Sequence, residues 1–173
     1  VRQTLLTTAD YMDDGSVNNG LYNETYGWGY FNKDKAVNGV GMFTKEFGDF
    51  DANVTDGYVG VFSNDIKGDA GLIKNGNGRL VLSGDNSYTG DTTVNSGVLK
   101  VSGDTSSSVF TVNGGGTLLG GNGTTGSVNN YGNVSTGEGT LAVKGDYTQS
   151  KDASLTYKVG NELTVSGKAN IDG

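Results

Sequence analysis

Apolar residues in this chain fall in short alternating beats, Leu80 and Leu82, Leu99 and Val101, Phe110 and Val112, separated by clusters of Gly, Asn, Asp, Ser and Thr. That pattern predicts short strands punctuated by tight turns. The beats also repeat. Leu80-Val81-Leu82-Ser83-Gly84-Asp85 returns as Leu99-Lys100-Val101-Ser102-Gly103-Asp104, and Leu99 is answered by Leu118, an offset of 19 residues each time. Thr93-Val94-Asn95 returns as Thr111-Val112-Asn113 after 18 residues. A near-constant period with one-residue slippage predicts stacked coils. In that register Leu80, Leu99 and Leu118 form an inward column and Lys100 points outward. A lone coil buries too few side chains to offset its backbone entropy, so its strands must pair with neighbours above and below. About five coils at roughly 4.8 Å each would make a stub near 25 Å long.

Other segments read differently. Val1, Leu5, Leu6, Ala9 and Met12 share one side of a helical wheel, which predicts an amphipathic helix over residues 1–12. Asp13-Asp14-Gly15-Ser16 and Asn18-Asn19-Gly20 would stop it. The aromatic-rich stretch from Tyr26 to Phe31 holds Trp28, the only tryptophan, and reads as a small cluster clamping a loop, with a short helix over Asn32 to Val37. Phe43, Phe47 and Phe50 are spaced to share related faces, and Val54 to Asn64 alternates as a strand pair around Gly57. The solenoid is expected to begin near Asp56. Beyond Gly103 the beats loosen but continue through Val128, Val134, Leu141, Val143, Tyr147, Leu155, Leu163, Val165 and Ile171. The residues expected to carry the structure are Leu80, Leu82, Tyr88, Val94, Leu99, Val101, Val112, Leu118 and Trp28.

The segment Gly78-x-Leu80-x-Leu82-Ser83-Gly84-x-Asn86-x-Tyr88-Thr89-Gly90-x-Thr92-x-Val94-x-x-Gly97-x-Leu99-x-Val101 resembles the strand repeat of bacterial autotransporter passengers, the secreted part of type V secretion proteins. The resemblance implies an all-β chain, a right-handed parallel β-helix, displayed at or released from the surface of a Gram-negative cell. A second resemblance covers about the first 43 residues. Leu5-Leu6-Thr7-Thr8-Ala9, Tyr26-Gly27-Trp28-Gly29, and Asn32 with Lys35-Ala36-Val37-Asn38-Gly39 are similar to the end of the peptidase domain in subtilisin-like serine protease autotransporters. In that family these residues follow the catalytic serine, on a late helix and an exit loop. None of the family's catalytic Asp, His or Ser motifs maps onto this chain. The implied division is a C-terminal remnant of the peptidase domain at 1–43, a transition at 44–70, and passenger repeats at 71–173. The implied partners lie in the same polypeptide: an upstream peptidase head and a downstream outer-membrane translocator barrel.

Composition narrows the chemistry. Of 173 residues, 31 are glycine and 34% are hydrophobic, which suits sharp turns and a thin core. There is no cysteine and no histidine, so disulfides, zinc-thiolate sites and Ser-His-Asp arrangements are excluded within this chain. Proline is absent too, which suits either a β-solenoid or a chain that must fold quickly after crossing a membrane. A net charge of −7 argues against nucleic acid and anionic lipid as partners. No apolar run is long enough for direct insertion into a membrane, and no signal region opens the chain. With no initiator Met before Val1, the chain reads as an internal piece of a larger secreted protein.

Chemical motifs are weak. Gly114-Gly115-Gly116 and Gly120-Gly121-Asn122-Gly123 lack the Lys-Ser/Thr ending of a phosphate loop and read as turns, and the second also fails the nonapeptide calcium pattern. Asp49, Asp69, Asp85, Asp91, Asp104 and Asp146 each follow a glycine, which is turn chemistry before it is a glycosidase pair. Asp85 and Asp104 share a place in consecutive repeats and are the weak candidates for a calcium site. No cofactor is expected. Tyr88 and Tyr131, if exposed, would stack on sugars as in an adhesin, and a host surface or polysaccharide would then be a partner. Tyr88 belongs to the repeat and reads first as packing. Asn-x-Ser/Thr sites at Asn23, Asn53, Asn122 and Asn133 carry little meaning if the source is bacterial, as the resemblance implies. Three functions remain open at this stage: a stalk segment of an autotransporter serine protease, an adhesin or polysaccharide-binding solenoid, and a fragment of an active protease whose catalytic residues lie upstream.

Overall fold

In a computed structural model of the chain, residues 1–10, 22, 24 and 27–172 are described. The expectations for Met12, for the turn formers at 13–20, for Asn23 and for Tyr26 lie outside them. Strand follows strand with the same sense throughout, and all the named strand pairs are parallel. Alternating sequence bounded by Gly, Asn and Asp gives each strand only a few residues before the chain must turn, and the turns carry it around a common axis.

The first face of the resulting β-solenoid stacks Phe50–Asn53, Leu72–Asn75, the start of Thr92–Val101, the start of Phe110–Gly120, Val128–Asn130, Tyr147–Gln149 and Ala169–Ile171. Seven strands in one ladder make about six coils, a rod roughly 30 Å long at the usual strand spacing. Its register runs Phe50, Leu72, Thr92, Phe110, Val128, Tyr147, Ala169, in steps of 22, 20, 18, 18, 19 and 22 residues. The second face stacks Val59–Phe62, Arg79–Leu82, the ends of the two long strands, Asn133–Ser135 and Ser154–Thr156, and joins the first in a single 11-stranded sheet. Both long strands cross the corner between the faces, with a bulge between Val94 and Ser96. Gly97 stands at φ +65°, and a Cβ there would run into the carbonyl oxygens of Gly76 and Gly78.

The third face pairs Met42–Phe43 with Lys67–Gly68, and stacks Asp104–Thr105, Gly123–Thr125, Leu141–Val143 and Leu163–Val165. Residues 86–89 join the two groups through backbone bonds from Ser87 to Ile66, from Thr89 to Gly68 and from Asn86 to Asp104. Residues 44–70, read from sequence as a transition, thus supply most of the first coil. The strands flanking Gly57, Phe50–Asn53 and Val59–Phe62, do not pair with each other. They lie on different faces, each paired with the next coil, because the turn between them is a solenoid corner and not a hairpin.

Inward side chains of all three faces meet in one narrow core running from Val40 to Tyr147, with Leu155, Leu163 and Val165 partly buried against it. At its start Phe43 packs on Phe50 and Tyr88, with ring centroids 5.4 and 4.8 Å apart, and Phe50 packs on Phe62. Phe47 does not join them. It stacks on Trp28 at 5.4 Å, because the turn at Thr44–Gly48 carries it away from the coil axis.

Among the described residues, two helices precede the coils. Lys33–Ala36 is capped by Asn32, whose side chain accepts the Lys35 N–H at 2.9 Å. Arg2–Thr7 is shorter than its periodicity predicts: Thr7 and Thr8 hydroxyls bond back to the Gln3 and Thr4 carbonyls, and Asp10 pairs with Tyr30 in an antiparallel bridge. Thr7 and Thr8 face the protein, while Val1 and Leu5 border an open apolar groove of about 370 Å³ with Phe31, Ala36 and Val37. No helix among the described residues is long and apolar enough to cross a membrane.

Candidate functional site: the contacts between coils

The chemistry of this chain lies in how each coil holds the next. Leu80, Leu99 and Leu118 are register partners and fully buried, as are Leu82 with Val101 and Val94 with Val112. These columns form because strand parity puts every second residue inward, and each such Leu or Val contributes about 1.5–3 kcal/mol by leaving water. Tyr88 is also fully buried. Its hydroxyl and Thr92 Oγ1 share a hydrogen at 2.6 Å, Thr92 meets Ser108 Oγ at 2.8 Å, and Ser108 donates to the Gly90 carbonyl. Burial pushes the Tyr88 phenol far above the usual range, against the weaker pull of those hydroxyls. Tyr88 therefore has no face to offer a sugar, whereas Tyr131 is exposed. Trp28 is half-buried between Phe47 and Tyr22.

Polar side chains form a second set of links. On the outer corner between the first two faces, Asn113 Nδ2 donates to Asn95 Oδ1, Asn95 Nδ2 to Asn75 Oδ1, and Asn75 Nδ2 to Asp51 Oδ1, at 2.7, 2.9 and 2.9 Å. One side chain per coil builds this amide ladder, and the carboxylate of Asp51, an acceptor only, fixes its direction. Elsewhere a side chain clips a backbone N–H of the adjacent coil. Asp49 accepts from Gly71, Asp65 from Asp85, Asn122 from Thr140, Ser127 from Asp146, and Asp146 from Lys168, at 2.7–3.1 Å. Asp69 accepts from Lys45 in the same way. Buried Asn86 spans three coils, accepting from the Ile66 N–H and donating to Thr105 Oγ1.

The Gly-Asp carboxylates at 49, 69 and 146 are thus cross-coil clips and not merely local turn formers. Asp104 does serve its own turn, accepting the Ser106 N–H at 2.8 Å. Asp85 and Asp104 are both exposed, and among the described residues no group of three or more His, Cys, Asp or Glu side chains gathers to hold a metal ion. Gly114–Gly116 lie within a strand, and the turn after Gly120 leads into another strand, without the following helix that a phosphate loop requires. For the clips, Asp146→Ala should lower stability by about 1 kcal/mol, a fall of roughly 2–4 °C in Tm for a chain of this size. Asp146→Asn keeps the acceptor oxygen and should lose less than half of that in the same circular-dichroism melt. An Asn variant as damaged as the Ala variant would mean that charge, and not the hydrogen bond, makes the link.

Sequence reasoning missed two features. Lys74 is fully buried, in the column between Ala52 and Val94. Its ammonium donates to the carbonyls of Asn75, Gly76 and Ser96 at 2.9, 2.8 and 3.1 Å, three neutral acceptors. Burial holds its pKa below the ordinary lysine value. The second feature is an outer ion cluster, in which Glu138 receives Arg79 through both of its oxygens and Lys100 through one. Hydrogen bonds from Arg79 and then Lys100 hold the Glu138 carboxyl below its usual pKa.

Stacked parallel coils clipped in this way define a β-solenoid of the kind built from short degenerate repeats. Residues 72–101, the second coil and most of the third, match the family of the passenger-associated-transport-repeat. Over its whole length the chain is 36% identical to a segment of the Neisserial autotransporter lipoprotein NalP of Neisseria meningitidis serogroup B. It is 39% identical over 104 residues, 58% of the chain, to an extracellular serine protease of Serratia marcescens, and 44% identical over 89 residues, half of the chain, to the adhesin BmaC autotransporter of Brucella suis. The chain spans 16%, 10% and 2% of the lengths of these relatives. The chain thus carries a passenger-associated-transport repeat at residues 72–101 and is homologous to parts of NalP and of the Serratia protease.

Proposed function

We propose that this segment is the structural stalk of a secreted autotransporter serine protease, spacing a catalytic head from the outer membrane and supporting secretion by folding outside the cell. The observation that carries the reading is the unbroken first-face ladder from Phe50 to Ile171, in which each coil is hydrogen-bonded to the next. Such a rod offers a protease few open loops, and each coil laid down templates its successor. On this reading the chain works at the cell surface or outside a Gram-negative bacterium, and its partners are a peptidase head and an outer-membrane barrel in the same polypeptide. The first 43 residues would then be the end of the peptidase domain.

The segment itself is proposed to be no enzyme. Purified, it should leave labelled casein intact with or without a serine-protease inhibitor. Inhibitor-sensitive turnover would instead favour a protease fragment. The stalk role is tested in a full-length parent by deleting one coil, residues 110–127, so that the ladder closes with one coil fewer. Secretion should fall while any released head keeps its specific activity; unchanged secretion would remove the stalk's part in export. A second reading, a polysaccharide-binding solenoid, is favoured by the relative named as an adhesin and by exposed Tyr131, whose backbone N–H bonds the carbonyl of Val112, the residue before Asn113 at the end of the amide ladder. Glycan binding that is lost in Tyr131→Ala would support it.

A further inference from the structure

In a solenoid each coil ordinarily touches only the coil above and the coil below, so stability is a sum over neighbours and an end coil can open alone. Backbone pairing here obeys that rule, with steps of about one period. Glu138 departs from it. It sits on the corner that follows Asn133–Ser135 in the fifth coil, yet its partners are 59 and 38 residues earlier. In the ladder Arg79 is aligned with Val98, Val98 with Thr117, and Thr117 with Asn133, so the carboxylate reaches back three coils to Arg79 and two to Lys100. Both cations point outward from the second face, where nothing in the register requires Glu138 to meet them.

The geometry of the contact is that of a built link. Arg79 presents its two terminal nitrogens to the two carboxylate oxygens at 3.0 and 2.8 Å, and Lys100 adds a third bond at 3.0 Å. A planar fork on a carboxylate fixes direction as well as charge. Between them, Leu119 of the fourth coil lies on the outward parity, aligned with Lys100 and Ser135, and is only 6% exposed. The corner that carries Glu138 is itself anchored: Thr136 is fully buried, its N–H bonds the Thr156 carbonyl, and its own carbonyl accepts from Asn161. The carboxylate is therefore held from the sixth coil on one side and grips the second and third on the other.

We propose that Glu138 is a latch that joins the second through fifth coils into one cooperative unit and that closes only once the fifth coil is in place. Before that, the second and third coils are held by neighbour pairing alone. Afterwards, opening any coil between them strains or breaks the three bonds of the latch.

Native-state hydrogen exchange tests this on wild type, Glu138→Gln and the exchanged pair Arg79→Glu/Glu138→Arg, each first shown to fold by circular dichroism. In wild type the amides of 79–82, 98–101 and 133–135 should exchange through a common opening with the same denaturant dependence. In Glu138→Gln protection at 79–82 and 98–101 should fall about five-fold, with a denaturant dependence now separate from that of 133–135. Protection at 147–149 should be unchanged. The exchanged pair should restore much of the coupling, and 1 M salt should weaken it in wild type. Indistinguishable wild-type and Glu138→Gln profiles would overturn the latch. So would an equal fall in every coil including 147–149, because that is ordinary destabilisation.

Discussion

Leu99→Asp should cost about 5 kcal/mol or more, enough to remove most or all of the stability of a domain whose total is typically 5–15 kcal/mol. Leu99 is fully buried with Leu80 above and Leu118 below in the same column. Removing its isobutyl group leaves a cavity that rigid strands 4.8 Å apart cannot close, a loss of about 2–5 kcal/mol by itself. The new carboxylate must then be buried among leucines without a donor, or protonate, or force the strand outward. Lys100, the next residue, points the other way. Lys100→Asp gives up one bond to Glu138 and sets two carboxylates near each other, a cost of about 1 kcal/mol at this outward, partly exposed site. Urea melts of the two variants should therefore differ by several kcal/mol. Equal losses would mean that the strand's inward and outward faces are assigned the wrong way round.

What the sequence disclosed was parity and period. The Leu80, Leu99 and Leu118 column was legible because three leucines stand at one offset inside similar hexapeptides. The first coil was harder to see: Phe50 to Leu72 is a step of 22 residues and Gly60, not a leucine, stands above Leu80, so neither length nor residue type announces the repeat. The long N-terminal helix failed for a local reason. Hydrophobic periodicity ignores threonine, yet the hydroxyls of Thr7 and Thr8 and the Asp10–Tyr30 bridge decide where that helix ends. The Gly-Asp pairs were visible, but their acceptor role was not, since the donor is a backbone N–H one coil away and leaves no trace in side-chain pattern. Glu138 had no signal at all, because an irregular corner reaching back 59 residues is outside any period. Lys74 did have one. Leu72 aligns with Thr92 and Lys74 with Val94, so the parity that makes Leu72 inward makes Lys74 inward as well.

That lysine carries the second large expectation. Lys74→Met keeps most of the side-chain volume and removes a desolvated charge, a change that can stabilise a protein when the charge is poorly solvated. Here it also removes three charge-assisted hydrogen bonds to the Asn75, Gly76 and Ser96 carbonyls, which converge where one coil turns its first corner beside the next. Leaving carbonyls at a buried corner without a donor costs about 1–3 kcal/mol each where no other partner replaces it. The Asn75 carbonyl retains the Val54 N–H, so only part of that sum is lost. The expected net effect at neutral pH is a loss of about 2–3 kcal/mol.

The pH dependence then separates charge from packing. Burial lowers the folded-state pKa of Lys74 below its ordinary value of 10.5. Between the lowered value and 10.5 the unfolded chain binds more protons than the folded one, so this group makes wild-type stability rise with pH in that window. Below the window the desolvation penalty is present in full. Lys74→Met lacks the titration, so the gap between wild type and variant should widen as pH is raised from 7 toward 9.5. Above pH 10 the buried phenol of Tyr88, whose pKa is raised, takes stability away from both proteins alike, and the comparison is best confined below it. Urea melts at pH 7, 8, 9 and 9.5 give the difference directly. A methionine variant as stable as wild type at every pH would show that the corner carbonyls need no cation, and that Lys74 is held inward by its methylenes alone.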